Sequence, residues 1–297
     1  MSSSRGELPD FDALWNYDQP AATERAFQDV LGRTTDRASL DYRLELLTQL
    51  ARAQALQRHF DEAHATLDQV QAQRLDEAVV PRIRYLLERG RTFNSSGEPG
   101  RAHHLFLEAW ELASAHAQDA YAVDAAHMLG IVEQGVQSLL WNRQALGLAR
   151  RSDDPRARRW QGSLYNNMGW SYHAAKEYEQ ALAMFESALA AWEADGQSDR
   201  VPIARWSVAR ALRSLGRTQE AFDRQMALLA ESERTGTRDG YVLEEIGECL
   251  LSLGRIQEAQ PYCLRAWDML SQDVWLTRTE PTRLERLHTL GTAGAEG

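Results

Sequence analysis

Small apolar residues recur along this chain at a nearly constant step, set among larger apolar and polar positions. One alanine from each stretch, used as a marker, gives steps of 39, 79, 40 and 38 residues, and the step of 79 is two periods. A second small residue stands twelve positions before every marker. Small residues on two neighbouring helices let their backbones approach to roughly 8–10 Å. The pattern therefore predicts stacked helix pairs, whose markers are Ala63, Ala102, Ala181, Ala221 and Ala259.

Extending each marker to a full helix–turn–helix unit predicts six pairs, at residues 44–77, 83–116, 123–156, 162–195, 202–235 and 240–273. Three pairs carry glycine between their helices, at Gly97, Gly216 and Gly254, where left-handed backbone costs little without a Cβ. The pair at 123–156 is degenerate: Gly130 takes the small position, but Asn142 stands where the marker alanine is expected.

The ends of the chain predict caps, which a stack of repeats needs where its apolar face would meet water. Residues 10–43 read as N-terminal capping helices broken at Gln19-Pro20. Residues 279–290 read as one C-terminal capping helix, with Pro281 near its first turn. The remaining tails, 1–9 and 291–297, are expected to be disordered.

The pair at 162–195 resembles the tetratricopeptide repeat family, and the resemblance extends over residues 44 to 273. It implies an all-α, right-handed superhelical solenoid of about six helix-turn-helix repeats with helical end caps. It also implies that the first helices line a concave groove, which commonly holds an extended peptide or a partner helix. The residues that carry the resemblance are Tyr165, Gly169, Tyr172, Ala181, Phe185 and Ala188.

In this family, positions 2, 5, 9 and 12 of each first helix face the groove, and position 6 often lies close by. Applied to this chain, the rule implies a set of peptide-binding residues. We expect Asn167 to grip peptide backbone and the two tryptophans to serve as apolar anchors. The set comprises Arg84, Arg91, Asn94, His127, Asn166, Asn167, Trp170, Trp206, Arg210 and Arg213.

The groove-facing positions also differ in charge from the chain as a whole. Between Arg52 and Arg213 they hold five arginines and one acid, Asp124, although the whole chain has 43 acidic and 33 basic residues. Because guanidinium groups match carboxylates, the sequence predicts a groove for an acidic extended segment.

Other interpretations stay open at this stage. Each arginine alone is also typical of a solvated helix surface, and the tryptophans could fill the contact between repeats. The chain could be a regulatory protein whose superhelix changes shape when a ligand or peptide binds. It could also be a structural repeat protein that self-assembles through its caps. The sequence does not define the oligomeric state.

The composition limits the classes of molecule that this chain can bind. A formal net charge of −10 argues against nucleic-acid and anionic-membrane binding. No apolar run approaches the roughly 18–20 residues that span a bilayer, and the first residues lack a secretory signal. We therefore expect a cytoplasmic protein that binds a protein or peptide.

No pattern of catalytic or metal-binding residues is present in the sequence. Cys249 and Cys263 are too few for a four-ligand zinc site and are expected to be reduced and buried. No histidine pair has the spacing of a helical zinc protease, and no nucleophile, phosphate-loop or dinucleotide motif occurs. The sequence predicts a protein that is not an enzyme and needs no cofactor.

Overall fold

The structure, a computed structural model, describes residues 9–34, 40–73 and 75–293. Within these residues the regular secondary structure is helical and no strand occurs, so the prediction of an all-α protein is confirmed. Of the tails predicted at 1–9 and 291–297, residues 1–8 and 294–297 lie outside the described residues, and residues 291 and 292 belong to the last helix. The chain divides into two compact units, Met1–Trp160 and Gln161–Gly297, which we call unit 1 and unit 2.

The first described element of unit 1 is a 3-10 turn at Asp12–Leu14, and proline at the first position starts the helix that follows. Each predicted pair in this unit is one helical hairpin, and the first helices α2 and α4 also contact each other. The helices are α1 (Pro20–Arg33), α2 (Leu40–Leu56), α3 (Phe60–Gln71), α4 (Val79–Ser95), α5 (Pro99–Ala115), α6 (Asp119–Val132), α7 (Gly135–Arg151) and α8 (Pro155–Arg158), with a second 3-10 turn at Leu75–Glu77.

Unit 2 contains three further hairpins and a C-terminal helix packed on the last of them. The helix expected at 279–290 runs from Pro281 to Thr292 and is preceded by a short helix. The helices are α9 (Gln161–Ala174), α10 (Tyr178–Ala194), α11 (Val201–Ser214), α12 (Thr218–Thr235), α13 (Gly240–Ser252), α14 (Ile256–Leu270), α15 (Val274–Thr279) and α16 (Pro281–Thr292).

The small positions lie where the two helices of a hairpin cross. All five marker alanines are at most 1% exposed. On the facing helix, a Cβ at Gly90 would lie 2.5 Å from the Phe106 ring, and a Cβ at Gly169 would lie 2.4 Å from the Phe185 ring. The missing side chain therefore makes room for a phenylalanine of the second helix.

The degenerate pair makes the same crossing with a shorter hairpin. Gly90 and Gly169 each meet a residue sixteen positions later, whereas Gly130 meets Asn142, only twelve positions later. The loss of four residues is about one helical turn. In agreement with it, α6 ends two residues after Gly130, whereas α4 ends five residues after Gly90. Asn142 therefore takes the place of the phenylalanines, not of the marker alanine. Ser138 fills the marker position and donates to the Gly130 carbonyl at 2.5 Å.

Five hairpins reverse direction through one left-handed residue at the same position. Glycine supplies it in three of them, as predicted, with φ between 74° and 91°. Arg58 (φ 65°) and Lys176 (φ 63°) supply it in the other two. The next residue donates its N–H back to the helix, as Glu177 does to the Tyr172 carbonyl at 2.9 Å, which satisfies an otherwise open helix end.

Candidate functional site

Three aromatic side chains from successive first helices form a row in unit 2. The ring centroids of Trp170 on α9 and Trp206 on α11 lie 5.7 Å apart, and those of Trp206 and Tyr241 on α13 lie 6.2 Å apart. The Trp206 indole N–H donates to the Tyr241 carbonyl at 3.1 Å, which fixes the middle ring. We call this row, together with Asn166, His173 and Arg210, the aromatic face. Its rings are only partly buried and present apolar surface to solvent.

Both predicted asparagines lie half-buried on α9. The Asn166 side-chain oxygen accepts from the Ser207 hydroxyl on α11 at 3.4 Å, and the Asn167 carbonyl accepts from the Ser171 hydroxyl at 3.1 Å. A carboxamide carries both donors and an acceptor, which is the set that a peptide backbone requires. Asn166 thus stands beside the row of rings with the chemistry to hold an extended chain.

Two arginines of α11 share one buried carboxylate on α13. Arg213 binds Glu245 through two hydrogen bonds of 2.5 and 3.1 Å, and Glu245 is only 3% exposed. Arg210 reaches the same carboxylate only at 3.6 Å and donates instead to the Ser214 hydroxyl at 2.8 Å. Glu248 on α13 is itself paired with Arg286 of α16. Arg210 is therefore the less well compensated of the two cations.

Burial, and after it the neighbouring cations, lower the pKa values of Arg210 and His173. Burial lowers the pKa of Arg210 despite the nearby Glu245. Burial also lowers the pKa of His173, and the charges of Arg210 and Arg213 lower it further. His173 Nε2 lies 2.9 Å from the Ser214 hydroxyl, the group that Arg210 also contacts. This corner of the aromatic face is thus suited to an anionic group.

In unit 1, the two predicted arginines are already held by carboxylates. Arg84 binds both oxygens of Asp12, at 2.7 and 3.1 Å, and donates to the Tyr121 hydroxyl at 2.8 Å. Arg91 binds Glu88 at 2.6 Å and Asp124 at 2.5 Å. Burial by itself would lower the pKa of each arginine, but these acidic partners hold both above the ordinary value.

The other two predicted residues of unit 1 sit in different surroundings. Asn94 lies half-buried in the last turn of α4. His127 on α6 packs against the Trp160 ring, with centroids 4.8 Å apart, and burial lowers its pKa to about 4. His127 is consequently neutral at physiological pH.

The glutamates Glu88 and Glu245 are the residues that the count of groove charges missed. They occupy the sixth position of the predicted repeats 83–116 and 240–273. Both are 3% exposed, and both bind arginines of the predicted set. They neutralise much of the positive charge expected from the arginines. A glutamate at the same position of two repeats was the available signal, since that position lies close to the groove in the resembled family.

Among the described residues, no group of three or more His, Cys, Asp or Glu side chains could hold a metal ion. No helix within those residues is long and apolar enough to cross a membrane.

Comparison with known proteins supports the same architecture. Residues 160–230 match the sequence model of the tetratricopeptide repeat family. No curated protein matches the chain. The tetratricopeptide-repeat resemblance predicted from the sequence is confirmed by this match and by solved structures that share the fold.

Three of those structures cover most of this chain. The apo form of RapI is 13% identical with a TM-score of 0.71, covering 96% of this chain and 85% of its own. NprR in complex with its cognate peptide NprX is 16% identical with a TM-score of 0.60, covering 98% and 86%. The apo form of the quorum sensor NprR from B. thuringiensis is 15% identical with a TM-score of 0.65, covering 95% and 79%. At these identities the likeness shows the fold, a helical-repeat solenoid.

Proposed function

We propose that this chain is a non-catalytic, cytoplasmic scaffold that holds an extended peptide on the aromatic face of unit 2. The observation that carries the proposal is the position of Arg210. Its guanidinium group stands beside the row of rings, with only a 3.6 Å contact to a carboxylate already held by Arg213. A carboxylate of a bound peptide at Arg210 would complete its ion pairing.

Each part of the aromatic face has a role in this proposal. The partly exposed rings of Trp170, Trp206 and Tyr241 supply flat anchors for apolar side chains, the type of residue enriched at binding hot spots. Asn166 and Asn167 bind peptide backbone. Arg210 sets a preference for acidic side chains, because charge-assisted bonds are stronger than neutral ones. A peptide contact of Arg213, which Glu245 already binds, remains a prediction.

Peptide contacts in unit 1 remain predictions for Arg84, Arg91, Asn94 and His127. The two arginines would have to exchange the carboxylates of Asp12 or Asp124 for one of the peptide. Breaking such pairs leaves a buried charge uncompensated, which is costly. We therefore place the main affinity in unit 2.

A sensing function is a second candidate. The NprR structure named above contains a cognate peptide, and NprR is described as a quorum sensor. Peptide binding to this chain would then change the arrangement of its helices and through it a partner's activity.

The test starts from a random decapeptide library selected on the immobilised full chain. We expect the enriched peptides to carry Asp or Glu next to an aromatic or large aliphatic residue. Affinity of the best peptide is then measured by fluorescence anisotropy for wild type, Arg210→Gln and Arg224→Gln. Arg224 is the matched control, an arginine on α12 that is 48% exposed and paired with Glu220 at 3.0 Å.

We expect Arg210→Gln to weaken binding by about tenfold or more, the effect of one charge-assisted hydrogen bond, and Arg224→Gln to leave it unchanged. Failure to enrich any peptide, or equal affinity of the wild type and Arg210→Gln, would overturn the proposal.

A further inference from the structure

The N-terminal segment of unit 1 folds over the helices that carry the predicted groove positions. Phe11 is 7% exposed and belongs to the apolar cluster of Phe27, Leu46 and Leu50. The next residue, Asp12, binds Arg84 of α4 through both oxygens. This segment is therefore anchored by an apolar side chain and by an ion pair with a residue 72 positions away.

The segment continues with two stacked rings. The centroids of Trp15 and Tyr17 lie 4.7 Å apart with the ring planes 6° from parallel. The Trp15 indole N–H donates to the Gln49 side-chain oxygen at 3.0 Å, and the guanidinium carbon of Arg52 lies 5.7 and 5.5 Å from the two ring centroids. These contacts hold the rings over α2.

A cavity of about 270 Å³ remains between this segment and the helices α2, α4 and α6. Ligand pockets for drug-sized molecules run from about 300 to 1,000 Å³, so this one suits a single side chain or a small molecule. Its walls include three carboxylates, Asp12, Glu88 and Asp124, and three aromatic rings, Trp15, Tyr17 and Tyr121.

The charges around the cavity do not cancel. Besides the three carboxylates of the wall, Glu45 contacts Arg84 at 3.1 Å, so four acids face the three guanidinium groups of Arg52, Arg84 and Arg91. Arg156, whose guanidinium lies over the Tyr121 ring, brings its own counter-charge through Asp154 at 2.9 Å. Counted over these described residues, one negative charge is left in excess.

One oxygen of the wall also lacks a partner. Glu88 Oε1 accepts from Arg91 at 2.6 Å and from Arg52 at 3.3 Å. Glu88 Oε2 is buried and accepts no hydrogen bond from the described residues, although Glu88 lines the cavity. A buried carboxylate oxygen without a donor is costly. A cationic donor entering the cavity would remove that cost and balance the charge.

We propose that this cavity binds one protonated amine or guanidinium group. Glu88 Oε2 accepts its hydrogen bond. The rings of Trp15, Tyr17 and Tyr121 line the cavity and already contact the guanidinium groups of Arg52, Arg84 and Arg156, and such rings attract a further cation. The cationic group can be the end of a small organic amine or of a basic side chain, and the two sources share this chemistry. The site lies within unit 1 and is independent of the peptide proposed for unit 2.

The test uses the full-length chain and three probes of similar shape: n-butylguanidinium, n-butylammonium and neutral n-butylurea. Binding is measured by saturation-transfer NMR and calorimetry. We expect both cations to bind and n-butylurea to bind at least tenfold more weakly.

Competition with the peptide acetyl-Gly-Arg-Gly-amide is the second experiment. If it competes with n-butylguanidinium, a basic side chain enters the site, and if it does not, the ligand is a free amine; both results support the proposal.

Three variants check the assignment. Glu88→Gln removes the charge of the acceptor and should weaken n-butylguanidinium binding at least tenfold. Glu245→Gln is the matched control, since Glu245 has the same burial and repeat position in unit 2, and it should bind the probe like the wild type. Tyr17→Leu removes one wall without disturbing a buried charge and should weaken binding several-fold.

The proposal is overturned if neither cation binds, if n-butylurea binds as well as the cations, or if Tyr17→Leu and a folded Glu88→Gln both bind like the wild type. Because the library selection reports on Arg210 in unit 2, it can fail or succeed without affecting this outcome.

Discussion

Gly169 on α9 packs directly against the ring of Phe185 on α10: a Cβ at position 169 would lie 2.4 Å from Phe185 Cε1. The Gly169→Ala substitution should therefore destabilise the protein by about 1–3 kcal/mol, because the extra methyl group forces the helices of the hairpin apart. Chemical denaturation followed by circular dichroism measures the change in the free energy of unfolding.

The control for this substitution is Gly147→Ala. Gly147 lies in the interior of α7, and a Cβ there would come no closer than 3.5 Å to a side-chain atom of Arg151. Alanine should stabilise this helix by up to about 1 kcal/mol. If both variants changed stability in the same direction, the crossing would not explain the glycine at 169.

Lys176 holds a left-handed backbone (φ 63°) at the position where Gly216 (φ 77°) and Gly254 (φ 74°) stand in other hairpins. Left-handed backbone costs a residue with a Cβ about 1–2 kcal/mol. Lys176→Gly should therefore raise the free energy of unfolding by about 0.5–1 kcal/mol, after the greater chain entropy of glycine is subtracted.

The reverse substitution, Gly216→Ala, should lower the free energy of unfolding by about 1 kcal/mol. Parallel urea titrations of the two variants and the wild type provide the comparison. A loss of stability in Lys176→Gly would contradict strain at this turn.

His127 should make stability depend on pH. Burial lowers its pKa in the folded chain to about 4 from an ordinary value of 6.5. As pH falls below 6.5 the unfolded chain takes up this proton first, so the contribution of neutral His127 is present above pH 6.5 and is lost between pH 6.5 and about 4. The full effect is on the order of 3 kcal/mol.

Denaturant titrations of wild type and His127→Leu between pH 4 and 8 measure this effect. The wild type should lose more stability on acidification than the variant, whereas the matched change at the exposed His116 should leave the wild-type slope unchanged. Parallel pH profiles of wild type and His127→Leu would show that His127 is not the group responsible.

The two cysteines should not react while the protein is folded. Both are free and buried, and burial raises the pKa of Cys249 to about 12 and that of Cys263 to about 11. Because the thiolate is the reactive form, Ellman's reagent at pH 8 should label neither thiol in native protein and both in denaturant. Rapid labelling of the native chain would mean that α13 and α14 open readily.

The hairpins could be predicted because their signal is local. A small residue and its marker lie twelve positions apart, and each acts within one pair of adjacent helices. The degenerate pair differs from the predicted repeat because its hairpin is one helical turn shorter. Applying the spacing of the other repeats therefore assigned Asn142 to the position of the marker alanine instead of that of the phenylalanines. This shift in register is evident only from the contacts among Gly130, Ser138 and Asn142.

The sequence by itself determined the all-α repeat architecture and the turn glycines, because both signals recur along the chain. The contact between the rings of Trp170 and Trp206 came from the packing of α9 against α11. Only the tertiary structure decided the charge around the predicted arginines. Arg213 meets Glu245 across 32 residues, and Arg84 meets Asp12 across 72. Ion pairing depends on distances between atoms of different helices, and these distances are set by packing, not by separation along the chain.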